Sequence, residues 1–284
     1  MSTAFGPKTA PPSVFPAHDA AAYERIMGRW SRRLAPLLIE FGGVDDGDRI
    51  LDVGCGTGNL SYAPPEAAKV AAVTGIDQAE VFLAYARKLS NDPRFSFQHA
   101  DARALPFVDG SFDRAFSMLA LSFITDIEHA VAEMRCVVRP GRTGDCSSMG
   151  PVRRNAGFSV VAGHRSRARS NRRTAARPVL VADRARRDER NVPPAGLVQV
   201  EQISLTIRMD FTGFDDYWRP LQSRDGPTGL YLAALSDEAR ATLWEHVWRD
   251  FLCNRPEGPR SFAATAWACQ VEPRRPRARA VLRS

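Results

Sequence analysis

The chain has 284 residues, 44% of them hydrophobic, and carries 39 Lys and Arg against 32 Asp and Glu, a net charge of +7. That length can bury a large core as one α/β domain with additions. No apolar run reaches membrane-spanning length and no charged-then-apolar leader opens the chain, so neither a membrane span nor a secretion signal is expected.

Residues 1–18 are rich in proline, and their composition predicts disorder. From Ala21 to Phe41, Tyr23, Ile26, Met27, Trp30, Leu34, Leu37 and Leu38 recur at helical spacing, which predicts an amphipathic helix. Ile50, Leu51 and Val53, with Asp52 among them, then read as a strand. It runs into Gly54-Cys55-Gly56-Thr57-Gly58, three glycines at alternate positions. Such a loop can turn sharply and let a ligand approach its backbone without a Cβ in the way. Val70 to Asp77 reads as a second buried strand ending in a carboxylate. Asp77 stands 19 residues past the last glycine (77 − 58), close to the ~20-residue offset at which an acid takes ribose hydroxyls in doubly wound folds. Phe95 to Ala102, again closed by an acid at Asp101, and Ser111 to Leu121 give two more strands. The stretches between carry helical spacing (Val81 to Leu89, Ile127 to Val138). Strands alternating with helices predict a doubly wound, mostly parallel sheet with helices on both faces.

A dinucleotide-binding loop would read G-x-G-x-x-G, whereas this one reads G-x-G-x-G with an acid two residues earlier. That pattern resembles motif I of the class I S-adenosylmethionine-dependent methyltransferases. The likeness continues through Gly75-Ile76-Asp77, Ala100 to Phe107, Phe112-Asp113, Leu121 to Asp126 and Val137 to Gly141. Over residues 20 to 141 the chain resembles the type 11, ubiquinone-biosynthesis-like, small-molecule methyltransferases. The resemblance implies a seven-stranded Rossmann-like sheet, S-adenosyl-L-methionine as cofactor and a small-molecule acceptor. It implies that Gly54, Gly56 and Gly58, with the backbone of Cys55 and Thr57, border the methionine part of the cofactor. Asp52 would fix that loop, Asp77 hold the ribose, Asp101 and Ala102 meet the adenine edge, and Ser117 and Met118 lie beside the sulfonium. The competing reading of Asp101 is a turn-forming acid. In the resembled family the helix before the first strand caps the cofactor, so Tyr23 or Arg29 would touch cofactor or substrate. The competing reading simply packs the aromatics of this helix on the sheet.

Residues 19–141 thus form the cofactor-binding half of the domain. After Gly141 the fold needs a fifth strand, yet Arg142 to Pro151 shows no β-rich run, and that strand is expected to be degraded. Residues 142–194 hold 13 Arg, no Lys and 4 acids, a net of +9, while Arg outnumbers Lys 36 to 3 in the whole chain. Three readings compete for this basic, irregular segment: a nucleic-acid or anionic-membrane arm, a solvated disordered loop, or a displaced reading frame of a G+C-rich gene. The last is preferred and would impair activity. Residues 195–271 resume with a strand over Ser204 to Met209. Helices over Phe214 to Leu221 and Leu230 to Leu252 follow, the latter N-capped by Ser236. A last strand over Ser261 to Cys269 completes the reading. The two helices would form a cap whose Trp218, Tyr231, Trp244 and Trp248 either wall a substrate pocket or simply pack together. Residues 272–284 read as a disordered basic tail. Pro64-Pro65 should end or kink the helix after the glycine loop near Ala63.

Five cysteines without a C-x-x-C pair fit reduced thiols in a cytoplasmic protein, and five scattered histidines give no metal signature. Many members of the resembled group have histidine just after the fourth strand, where this chain has Ser122 and Phe123, so no catalytic residue is named. The rival readings are an NAD(P)-dependent Rossmann enzyme, disfavoured by the glycine spacing, and a basic nucleic-acid-binding protein.

Overall fold

A computed structural model describes residues 13–139, 146–149 and 197–273 of the chain. Its strands are β1 (Arg49–Val53), β2 (Ala72–Asp77), β3 (Phe95–His99), β4 (Arg114–Ser117), β5 (Cys146–Met149), β6 (Leu197–Phe211) and β7 (Arg260–Pro273). They lie in the order β3-β2-β1-β4-β5-β7-β6. β1 to β5 run parallel, and β7 is antiparallel to both β5 and β6. The strand order reverses beside β1, with β2 on one side and β4 on the other. In an open α/β sheet that reversal leaves a crevice at the carboxyl ends of the strands.

The alternation of side chains along β1 divides the core. Ile50 joins Leu34, Leu38, Val73 and Phe116 on one face, packed by α2 (Arg29–Gly42). Leu51 and Val53 join Ala115, Ala130 and Met134 on the other, packed by α5 (Ile127–Val137). Helix α1 (Ala20–Tyr23) leads into α2 through a π-helical turn, Glu24–Gly28. The other helices are α3 (Pro64–Ala67), α4 (Glu80–Arg87), and α6 (Phe214–Leu221), α7 (Gly226–Ala233) and α8 (Asp237–Leu252) between β6 and β7. These last three form a cap with its own aromatic core, in which the ring of Phe214 stacks on Trp218 at 5.9 Å and packs edge-on against Phe251.

Three expectations need correction. The fifth strand is present among the described residues: Ala115, Phe116 and Ser117 of β4 pair with Cys146, Ser147 and Ser148. Backbone ladders to β4 and β7 hold it there, and a strand flanked on both sides needs little intrinsic β-propensity. The prolines at 64 and 65 do not end a helix; they occupy the first turn of α3, where a missing N–H costs nothing. The helix expected over Leu230 to Leu252 is two, α7 and α8, and the hydroxyl of Ser236 between them accepts the Ala239 N–H at 3.2 Å. Apart from β5, the readings for residues 142–194 lie outside the described residues, as do those for most of 1–18 and of the C-terminal tail.

Candidate functional site

The glycine loop is built by folding back over the end of β2. The carbonyl of Ile76 accepts the N–H groups of both Gly54 (2.8 Å) and Cys55 (2.9 Å). Asp77 Oδ2 accepts the Gly56 N–H at 2.9 Å, and its Oδ1 accepts that of Ala79 at 2.8 Å. Gly54 and Gly56 both take left-handed backbone angles, φ +72° and +54°. At Gly54 a Cβ would collide with that of Ala120, while at Gly56 it would meet nothing, because the backbone there faces open space.

That open space belongs to a cavity of about 320 Å³ at the carboxyl ends of β1, β2 and β4. Gly54, Gly56, Asp77, Asp101, Ala102 and Met118 all line it. Burial pushes the Asp77 carboxyl above its ordinary pKa, against the opposing effect of the N–H bonds from Ala79 and Gly56. At Asp101 partial burial pulls in the same upward direction. The hydrogen bonds from the Arg103 guanidinium (2.9 Å) and N–H (2.9 Å) outweigh it, and the carboxyl titrates below its usual range.

A small polar recess opens beside this cavity, lined by Asp52, Gly54, Cys55, Thr57 and Met118 with Tyr23 and Ser31. Asp52 is 1% exposed. Its Oδ2 accepts the Ser61 hydroxyl at 2.6 Å, but its buried Oδ1 has no partner among the described residues. Burial raises its pKa to about 7, with Asp77 adding to the rise. A buried carboxylate oxygen without a donor is costly, and such a position accommodates a ligand that brings N–H groups or a positive charge.

Cys55, Thr57, Gly58 and Ser117 do not line the larger cavity. Cys55 is fully packed, with its thiol directed against Gly75, and burial drives that thiol upward in pKa. Thr57 is buried and donates its hydroxyl to Glu24. Gly58 packs behind the loop against Tyr62 and Ala86. Ser117 is fully buried and lines neither space, although its hydroxyl has no partner among the described residues. Asp113, from the Phe112-Asp113 motif, lies away from the cavity: it accepts the Arg49 N–H at 2.9 Å and pairs with Arg139 at 3.0 Å, bracing the start of β1.

Two groups of contacts escaped the sequence. Glu24 on the π-helical turn accepts from Thr57 Oγ1 and Asn59 Nδ2 and pairs with Arg32, tying the N-terminal helix to the glycine loop. Its signal was a glycine four residues on, since a Cβ at Gly28 would occupy the space of the Glu24 carboxyl. Residues 13–19 form a strap across the cavity. Val14 N–H bonds the Phe123 carbonyl at 3.0 Å, and the ring of Phe15 packs edge-on against Tyr23 and Phe123. No periodicity announces so short a strap.

Tyr23 and Arg29 are placed apart. Tyr23 lines the cavity and the recess. Arg29 instead bonds Asp216 Oδ1 at 2.7 Å and lies 4.3 Å above the ring of Trp30, joining α2 to the cap. Trp218 is buried within the cap core, and Trp244 stacks on Trp248 at 5.9 Å; neither these nor Tyr231 line the cavity.

A family profile described as a methyltransferase domain matches residues 50–141, which include the glycine loop. The segment is similar to the malonyl-[acyl-carrier protein] O-methyltransferase of Xylella fastidiosa, 42% identical over 111 residues that cover 37% of each chain. It is also similar to the demethylmenaquinone methyltransferase of Thermus thermophilus, 38% identical over 115 residues covering 40% of this chain and 50% of that one. The chain thus spans half or less of the length of these relatives. Among solved structures, the YcgJ protein of Bacillus subtilis superposes with a TM-score of 0.51 at 22% identity, covering 85% of this chain and 98% of its own. That likeness concerns the fold alone. No helix among the described residues is long and apolar enough to cross a membrane.

Proposed function

We propose that the chain transfers a methyl group from S-adenosylmethionine to a small-molecule acceptor. The observation that carries this reading is the unpartnered Oδ1 of Asp52, held beside a glycine loop whose backbone faces a cavity. The cofactor carries an ammonium group at its methionine end, and that group supplies what Asp52 Oδ1 lacks. When bound, the cofactor supplies a sulfonium-activated methyl group.

The protein's own part is to bind, orient and exclude water. Gly54 and Gly56 give backbone access along the methionine portion. Asp77, though each oxygen already accepts one N–H, keeps acceptor capacity on both for the vicinal hydroxyls of a ribose. Asp101 and Ala102 border the far end of the cavity, suited to the adenine edge, and Met118 faces both the cavity and the recess. Cys55 and Thr57 wall the recess beside Asp52, and Gly58 and Ser117 support the loop from behind. The order β3-β2-β1-β4-β5-β7-β6 is read as the complete seven-stranded sheet of this enzyme class. Alignment of acceptor and methyl group in a closed site supplies most of the acceleration, so no side-chain base is assigned.

Calorimetric titration tests this reading. The expected result is saturable 1:1 binding of S-adenosylhomocysteine and no binding of NADH. Binding of NADH in its place would reverse the assignment.

A further inference from the structure

A second cavity, of about 170 Å³, lies against the first and shares with it Phe15, Tyr23, Leu119 and Phe123. Its remaining walls come from Ile26 and Met27 on the π-helical turn, Leu221 of α6, and residues 225–229 at the start of α7. No part of the proposed cofactor site uses it. Leu119 stands at the border of the two spaces with a left-handed φ of +61°, strained for a residue with a side chain. Strain of that kind persists where the surroundings impose it, and it is concentrated at ligand sites.

The lining defines what fits. Among the described residues it contains no Arg, Lys or His. Its one carboxylate, Asp225, is 5% exposed, and its Oδ1 already accepts the N–H groups of His18 (2.7 Å) and Asp19 (3.0 Å). An anion would meet that carboxylate with no countercharge. A cation would shed its water into a wall of carbon against an acid already bonded to two amides. Thr228 offers a hydroxyl that can orient a neutral ligand. An apolar cavity of roughly 150 Å³ holds one benzene ring, so the space suits a single ring.

We infer that this second cavity is the acceptor site and that it takes an uncharged molecule presenting one six-membered ring. The inference rests on the reading that the first cavity holds S-adenosylmethionine. It follows that the acceptor enters between the strap of residues 13–19 and the cap, with its ring among Phe15, Tyr23 and Phe123.

Ligand-observed NMR on the full chain saturated with S-adenosylhomocysteine tests it, with phenol, benzoate and benzylammonium as probes of one size and three charges. Phenol is expected to bind at least tenfold more tightly than either ion. Thr228→Phe and Met27→Trp, which fill the second cavity from opposite sides, should each weaken phenol at least tenfold. Neither should change the thermal shift produced by S-adenosylhomocysteine, which also shows that the variants fold. Equal binding of either ion, or phenol binding that survives both substitutions, overturns the inference. The charge comparison uses the unaltered chain and decides the matter even if neither variant folds. If phenol behaves as expected but S-adenosylhomocysteine gives no shift, the cavity keeps its ligand class and loses its role as acceptor site.

Discussion

Asp77 closes the glycine loop from the neighbouring strand: its Oδ2 accepts the Gly56 N–H at 2.9 Å while its Oδ1 accepts that of Ala79 at 2.8 Å. One carboxylate therefore both shapes the loop and faces the cavity. Asp77→Ala should leave two backbone donors unpaired and destabilise the fold by about 1–3 kcal/mol. It should also weaken S-adenosylhomocysteine more than tenfold. Asp77→Asn keeps one oxygen and should show a smaller loss of melting temperature than of affinity. Equal affinity in all three proteins would remove Asp77 from the binding site.

Glu24 couples the N-terminal helix to the same loop. Glu24→Ala leaves Thr57 Oγ1 and Asn59 Nδ2 without their acceptor, at a cost of about 1–3 kcal/mol. A double-mutant cycle with Thr57→Val should return a coupling of at least about 0.5 kcal/mol in urea unfolding, as expected for residues in one network. Strict additivity would show that the contact carries no stability.

Much of this site was legible in the sequence, and the boundary is instructive. The loop, Asp52 and Asp77 could be read because strand, glycine and acid follow one another within a short stretch, and local pattern fixes their geometry. Glu24, Phe15 and Leu119 could not, because their roles arise from contacts between segments far apart in sequence. Glu24 meets Thr57 across 33 positions, and Asp225 meets His18 across 207. β5 was missed for the same reason. Cys146-Ser147-Ser148-Met149 has no strand signal of its own, and its backbone is held by the partners on either side. The aromatic cap residues left two readings open, because the same periodicity serves a core and a pocket wall, and here Trp218 serves the core.

Asp52 should make both stability and binding depend on pH. Its pKa is raised from 3.8 in a model peptide to about 7 in the fold. The folded state therefore holds a proton that the unfolded state has lost between those values. Its contribution is full below pH 3.8 and is lost as pH rises to about 7, by at most roughly 1.4 kcal/mol per pH unit. Asp52→Asn should gain stability relative to the unaltered chain over that window. Binding reverses the sign, since an ammonium group favours the carboxylate. Affinity for S-adenosylhomocysteine should rise with pH up to about 7 and then level off, with proton release detectable by calorimetry in buffers of different ionisation enthalpy. In Asp52→Asn the affinity should be pH-independent over the same range. A flat profile in the unaltered chain would place the ammonium elsewhere.

Gly54 is constrained twice, by its φ of +72° and by the side chain of Ala120. Gly54→Ala should cost at least about 1 kcal/mol for the backbone alone, with the overlap adding about 1–3 kcal/mol. Ala120→Gly in the same chain should recover the second part and leave the first. Chemical denaturation of the two variants separates them; full recovery in the double variant would show that the backbone angle carries no strain.

Hydrogen exchange read by mass spectrometry locates the cofactor on the chain and tests the central claim most directly. Saturating S-adenosylhomocysteine should slow exchange in peptides covering the glycine loop, the end of β2 through Ala79, and Ala100 to Arg103, with the cap helix α8 unchanged. No protection in those peptides, or protection confined to the cap, would contradict a methyltransferase site at the glycine loop.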